Sequence, residues 1–195
     1  MADAAPKKTN KKKLIVARSA ELFRTRGYSA TSMRDIADAV GVEAASLYNH
    51  IRAKTDLLHG IISGIAGHCD EHLESLQQSS KTPGEKVEEI IRFHVQLMIN
   101  RYDEYSVMTH DWNHLPEKQL HEFALQRRSY VQQLEQIVTR GIESGEFKNI
   151  IPYVAVLNIL SAVMGLEFWQ RSLKKYSAEE MEDHIVRHLT LGLKQ

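Results

Sequence analysis

Apolar residues recur along this chain at intervals of three and four, the spacing that builds one buried stripe along a helix. The first such stripe is Ile15, Val16, Ala20, Leu22 and Phe23, predicting a helix from about Lys12 to Arg26 that Gly27 ends; Phe23 and Tyr28 belong to its core. Next, Met33, Ile36, Ala37 and Val40 share one face, with Ser32 as cap and Asp35 in the reciprocal position three residues on. Gly41 marks a tight corner, because glycine alone takes a positive φ without steric cost. A second short helix, about Glu43 to His50, turns Leu47 and Ile51 inward. Then Leu58, Ile61, Ile62, Ile65, Cys69, Leu73 and Leu76 predict one long helix from about Thr55 to Gln78. Gly60, Gly64 and Gly67 within it each cost about 1 kcal/mol relative to Ala and serve either close packing or bending.

The second half opens after the break QQSSKTPG. Thr82, Pro83 and Glu85 form a helix start, and Val87, Ile90, Ile91, His94 and Met98 carry that helix to about Tyr102. A short aromatic piece around Tyr105 to His114 and a break at Leu115-Pro116 lead into a helix from about Lys118 to Ser144, closed by Gly145. From Pro152 to about Tyr176 the chain is apolar on nearly every side, the mark of a helix buried all round, which in a small protein calls for a partner surface. Ser177 and Glu180 cap a last helix to about Leu193 with the stripe Met181, Ile185, His188 and Leu189. These last two helices are expected to pair with their copies across a two-fold axis, making a homodimer.

Two short helices around a glycine corner are the layout of a helix-turn-helix, and charge points the same way. The 195 residues balance 25 Lys and Arg against 25 Asp and Glu. Residues 1–60 hold eleven cations against six acids, and the remainder fourteen against nineteen. A basic head suits phosphates and an acidic body stays off them. Residues 1–10, within the lysine-rich run MADAAPKKTNKKK, lack apolar periodicity and read as a disordered basic arm; it either adds phosphate or minor-groove contacts or is a solubilising tail. The single cysteine, Cys69, cannot form an intrachain disulfide, the N-terminus has no secretory core and no apolar run of membrane-spanning length stands out, so a cytoplasmic protein without membrane contact is expected.

The run TSMRDIADAVGVEAASLYNHIRAKTDLL with the preceding ARSAELFRTRGYSA resembles the DNA-binding head of TetR-type bacterial transcriptional repressors. The resemblance implies an all-α homodimer with a helix-turn-helix domain over residues 11–56 and a ligand-binding and dimerisation bundle over 57–195. It implies that Thr31, Ser32, Ser46, Tyr48 and Lys54 hold the phosphates of a double-stranded operator, while Arg34, Ala44, Ala45, Asn49 and His50 face the groove. The residue chemistry agrees, since hydroxyls and an ammonium suit phosphate, and Arg and Asn pair bidentately with guanine and adenine. Glu43 departs from the commoner Ser or Thr; it either caps the recognition helix or accepts from cytosine N4.

A sensor pocket is expected among the helices after Pro83, lined by Phe93, Leu97, Met108, Trp112, Phe123, Tyr130, Leu160, Met164, Phe168 and Trp169 and suited to a hydrophobic effector. The segment Met108 to Tyr130 resembles, loosely, the bodies of members that answer to acyl-CoA thioesters. On that likeness Arg127, Arg128 and Arg171 become candidates for coenzyme A phosphates. Three i, i+4 histidine pairs, His68/His72, His110/His114 and His184/His188, have zinc-like spacing but lack a third ligand, so neither a metal nor a cofactor is expected. No phosphate loop or nucleophile elbow supports an enzyme. The competing reading is an architectural DNA-binding protein that senses nothing, which the large acidic body disfavours.

Overall fold

The computed structural model describes residues 5–49, 51–171 and 175–194. Among the described residues ten α-helices follow in order: α1 (Ala5–Arg26), α2 (Met33–Val40), α3 (Ala44–Tyr48), α4 (Lys54–Gln78), α5 (Pro83–Asn100), α6 (Tyr102–His110), α7 (Glu117–Glu143), α8 (Pro152–Met164), α9 (Leu166–Arg171) and α10 (Ala178–Leu193). A 3-10 turn, Trp112–His114, joins α6 to α7. The architecture is all-α; the only β-type pairing among the described residues is a single bridge between Phe147 and Lys194.

Helix α1 corrects one expectation. Its backbone is helical from Ala5, so residues 5–10 of the segment read as a basic arm are continuous with α1, and residues 1–4 lie outside the described residues. Lysine is a good helix former, proline is tolerated in a first turn, and no glycine interrupts. The apolar stripe located only the part that packs.

The chain forms two compact units, the first Met1–Gly67 with Asp103–Ala124 and the second His68–Tyr102 with Leu125–Gln195. The expected division at residues 56 and 57 therefore differs from the packing. In the first unit Phe23, Ile36, Leu47, Leu58 and Ile61 share a core with Val107, Leu115 and Phe123, which come from α6, the loop after the 3-10 turn and α7. Arg24 also pairs with Asp103. Helices α4 and α7 each begin in one unit and end in the other.

In the second unit, α5 packs against α8, α9 and α10. Thr82 and Glu85 complete the capping box at the start of α5, and Glu146 reaches the same end, accepting from the Gly84 amide at 2.9 Å and the Thr82 hydroxyl at 3.0 Å. Arg92 bridges α5 to α10 through Glu182 (3.0 Å) and Asp183 (2.9 Å). Phe147, buried after the Gly145 turn (φ 78°), lies across Gly141; a Cβ there would fall 2.2 Å from the ring, so only glycine fits. On α10 the fully buried residues are Val186, Thr190 and Leu193 rather than the expected Met181, Ile185, His188 and Leu189.

The stretch from Pro152 is two helices, broken at Gly165, and it is not buried all round. Tyr153, Val154 and Leu157 are half exposed and Phe168 is 80% exposed. Pro152–Gln170 has a mean hydropathy of 1.4 and 28% of it is buried; by length and composition alone it could cross a membrane, contrary to the expectation that no such run exists. That length and apolarity come with a polar rim: Asn158, Ser161, Glu167 and Gln170 interrupt the stretch, and Gln170 donates to the Met98 carbonyl at 2.9 Å.

His94 lies inside this second unit with its Nε2 2.8 Å from the Tyr130 hydroxyl. Burial drives its pKa down to about 4, and His72 adds to the shift. The unfolded imidazole titrates near 6.5. His94 therefore contributes stability in full above that value, and the contribution is lost as pH falls from about 6.5 toward 4, because there the unfolded chain binds the extra proton. Chemical denaturation at pH 7.5 and 4.5 should give the parent a lower midpoint in acid, and His94→Gln should shrink that difference; an equal difference in both proteins would exclude His94 as its source.

Candidate nucleic-acid interface

The helix-turn-helix is built from its caps outward. Ser32 accepts from the Asp35 amide at 3.1 Å and Asp35 accepts in turn from the Ser32 amide at 2.8 Å, completing the capping box; such a cap contributes about 1 kcal/mol. The bonds from Ser32 hold the Asp35 carboxyl below its ordinary pKa. Arg26 lies 3.4 Å from the same carboxylate, tying the end of α1 to the start of α2. Gly41 takes the left-handed conformation (φ 75°, ψ 40°), and the Val42 amide donates back to the Ala37 carbonyl at 3.0 Å. The helix is thereby closed and the chain redirected into α3.

Helix α3 is short, Ala44–Tyr48. Glu43 precedes it without a side-chain capping bond, so the first of its two expected roles is not used here. Leu47 is fully buried and Ile51 nearly so, which orients the helix. Ala45, Tyr48 and Asn49 are exposed, Ala44 and Ser46 half-buried, and Arg34 on α2 is exposed. Small residues at the front of such a helix allow close approach to base edges. Arg34, Ser32, Ala44, Ala45, Ser46, Tyr48 and Asn49 are thus brought together on one short segment with their side chains at or near the surface. His50, and the side chain of Arg171, lie outside the described residues.

Two of the residues expected at phosphates also have partners within the protein. The Thr31 side chain is buried, its hydroxyl donating to the Gly27 carbonyl at 2.9 Å, so it braces the loop between α1 and α2 instead of facing solvent. Lys54 directs its ammonium inward, donating to the carbonyls of Tyr28 (2.8 Å) and Thr31 (2.7 Å), with the Tyr28 ring 4.3 Å below. It is a structural cation at the first residue of α4. Tyr28 also packs edge-on against Phe23 and at a tilt against His114, each with ring centroids 5.1 Å apart. Sequence reasoning missed the contacts of Lys54 and His114 because they join residues 23 to 86 positions apart.

The residues expected to line the effector pocket are divided between the two units. Met108, Trp112 and Phe123 pack in the first unit, the Trp112 and Phe123 rings 5.9 Å apart. Phe168 is exposed and Arg127 and Arg128 are at the surface of α7. Within the second unit Leu97 and Tyr130 are buried, and Phe93, Leu160, Met164 and Trp169 half-buried. His72 stacks flat on Phe93 at 3.9 Å with its Nδ1 buried and without a hydrogen-bond partner, and burial lowers its pKa. An apolar cavity of about 10 Å³ lies between α5, α7 and α8, lined by Val87, Ile90, Leu134, Val138, Val156 and Ile159. None of these was on the expected list. All six sit on predicted helices, so the faces were legible and the gap between them was not. Cys69 is buried, its thiol pushed up to about 12. Among the described residues no group of three or more His, Cys, Asp or Glu is placed to hold a metal.

Comparison with known proteins places this geometry. Residues 15–61 match the model of the bacterial regulatory proteins of the tetR family, and residues 80–193 match the tetracyclin repressor-like C-terminal domain. The HTH-type transcriptional repressor KstR2 of Mycobacterium tuberculosis is 21% identical over 131 residues, 67% of this chain and 66% of its own length. The chain thus spans just under two thirds of that relative; a solved KstR2 structure superposes with a TM-score of 0.87 at 17% identity, covering 100% of this chain and 97% of the other. The Fatty acid metabolism regulator protein of Bacillus subtilis is 21% identical over 92% of this chain and 93% of its own. AibR, solved in complex with isovaleryl coenzyme A and operator DNA, is 25% identical with a TM-score of 0.80, over 92% of this chain and 98% of that one. With both its capped DNA-reading head and its helical body matched, the chain belongs to the TetR family of bacterial transcriptional regulators.

Proposed function

We propose that this chain is a cytoplasmic repressor that binds a near-palindromic operator as a homodimer and is released by a hydrophobic effector, an acyl-CoA thioester being the favoured class. The observation that carries the reading is the helix-turn-helix: two capped helices with Arg34, Tyr48 and Asn49 exposed around the Gly41 corner. In a dimer the two α3 helices would enter successive major grooves about 34 Å apart. Arg34 and Asn49 read base edges, while Ser32, Ser46 and Tyr48 grip phosphates.

The dimer reading is supported by the apolar surface of α8 and α9, where Tyr153, Val154, Leu157 and Phe168 lie open in the single chain. A partner's copy of these helices would cover it more economically than water or lipid, since the polar residues along the stretch suit an interface rim. The effector reading is supported by relatives: AibR is described with isovaleryl coenzyme A, and other relatives are named for ketosteroid and fatty-acid regulation. A thioester-sized ligand needs a pocket of several hundred Å³. The 10 Å³ cavity between α5, α7 and α8 has room for about one water, so such a ligand would enter by prising these helices apart. Helices α4 and α7 continue from that unit into the head unit, giving the displacement a covalent route to the DNA-reading helices. Coupling of about 1 to 3 kcal/mol would release DNA 5- to 150-fold.

Fluorescence anisotropy against DNA upstream of the gene, titrated with acyl-CoA thioesters, tests the whole reading: selective binding that one thioester abolishes is expected, and selective binding indifferent to the panel would remove the effector class while leaving the regulator. Arg34→Ala should flatten preference at one base-pair position by about 1 to 3 kcal/mol, whereas Tyr48→Phe should weaken all sequences alike; parent-like binding by both variants would sink the docking geometry. Sedimentation of Phe168→Glu should show monomer where the parent is dimeric, and a parent that sediments as a monomer at micromolar concentration would refute the dimer.

A further inference from the structure

We infer that the lysine-bearing extension of α1, ahead of Leu14, is a second DNA-contacting element that lies along phosphates and supplies most of the electrostatic attraction of the head. The inference rests on the DNA-binding reading above and adds to it a surface outside the helix-turn-helix.

The argument starts from where the head's positive charge sits. Residues 1–60 carry five more cations than acids, yet residues 14–60, which contain the whole helix-turn-helix, hold six cations against five acids. Four of those six are engaged within the protein. Arg18 pairs with Glu21 (2.7 Å), Arg24 with Asp103, Arg26 with Asp35 (3.4 Å), and the Lys54 ammonium lies on backbone carbonyls. The helix-turn-helix by itself is therefore nearly neutral, with Arg34 and Arg52 as its remaining cations. Residues 1–13 carry five lysines and one acid.

The backbone arranges that charge on a rigid element. Positions 7 and 11, and 8 and 12, are each one turn apart on α1, whose first turn contains no acidic residue. Like charges at that spacing repel, by a few tenths of a kcal/mol per pair, and no carboxylate in the run offsets them. The core stripe of α1 begins at Ile15; Lys12, Lys13 and Leu14 are exposed, so burial does not account for these three positions. About ten residues of helix project some 15 Å, roughly the span of nine duplex phosphates counted over both strands. A polyanion laid along it relieves the repulsion, and DNA held by the adjacent α2 and α3 is the polyanion at hand.

The test uses the full chain with Lys7→Gln, Lys8→Gln, Lys11→Gln, Lys12→Gln and Lys13→Gln combined, compared with the parent on the upstream DNA and on a random duplex of equal length, from about 50 to 300 mM salt. Circular dichroism first checks that helix content is retained. Each phosphate contact contributes about 0.9 to the slope of log affinity against log salt, so the variant's slope should be flatter by about three on both duplexes, with affinity near 0.1 M salt down by 10-fold or more and base preference intact. A slope equal to the parent's on both duplexes would overturn the inference and make the segment a solubilising tail. If the parent itself shows no preference between the duplexes, the operator reading falls, while the slope on random DNA still decides the role of the lysines.

Discussion

The head depends on one ammonium. Lys54 stands at the first residue of α4 and donates into two carbonyls of the loop between α1 and α2, with the Tyr28 ring beneath it. Hydrogen bonds from a charged donor contribute about 1.5 to 3 kcal/mol when sheltered, more than a neutral pair. Here they join the start of a 25-residue helix to the corner that carries the α2 cap. Thr31 meets the same corner from inside, bonding the Gly27 carbonyl, so two residues typed as DNA contacts from their chemistry serve the loop that positions the DNA-reading helices.

That junction gives the long helix mechanical meaning. Helix α4 is fastened at its first residue to the head and runs on into the second unit. The second continuous link is α7, whose first turns pack Leu120 and Phe123 against the head core. Helices α4 and α7 are thus each shared between the head unit and the second unit. Between α5, α7 and α8 lies a cavity of about 10 Å³ lined by apolar side chains.

Charge is distributed with the same economy. The groups that hold the head together consume most of its arginines, and the lysines ahead of Leu14 keep the head basic. On the proposed reading, specificity and attraction are separated along the chain, with base-edge chemistry at Arg34 and Asn49 and long-range, salt-dependent pull in the basic run.

Local chemistry is what the sequence by itself determined. The capping boxes of Ser32, Thr82 and Ser177, the left-handed glycines 27, 41 and 145, the helical order and the family motif all depend on neighbours within four or five positions, and the structure has each of them. Tertiary packing decided the rest. Whether the Lys54 ammonium faces phosphate or a carbonyl depends on a loop 23 residues away, and whether Phe123 belongs to a pocket or to the head core depends on a contact with residues about 100 positions earlier. Periodicity reports that a face is apolar; only the folded chain determines what that face meets, because burial is a property of two surfaces and a stripe describes one.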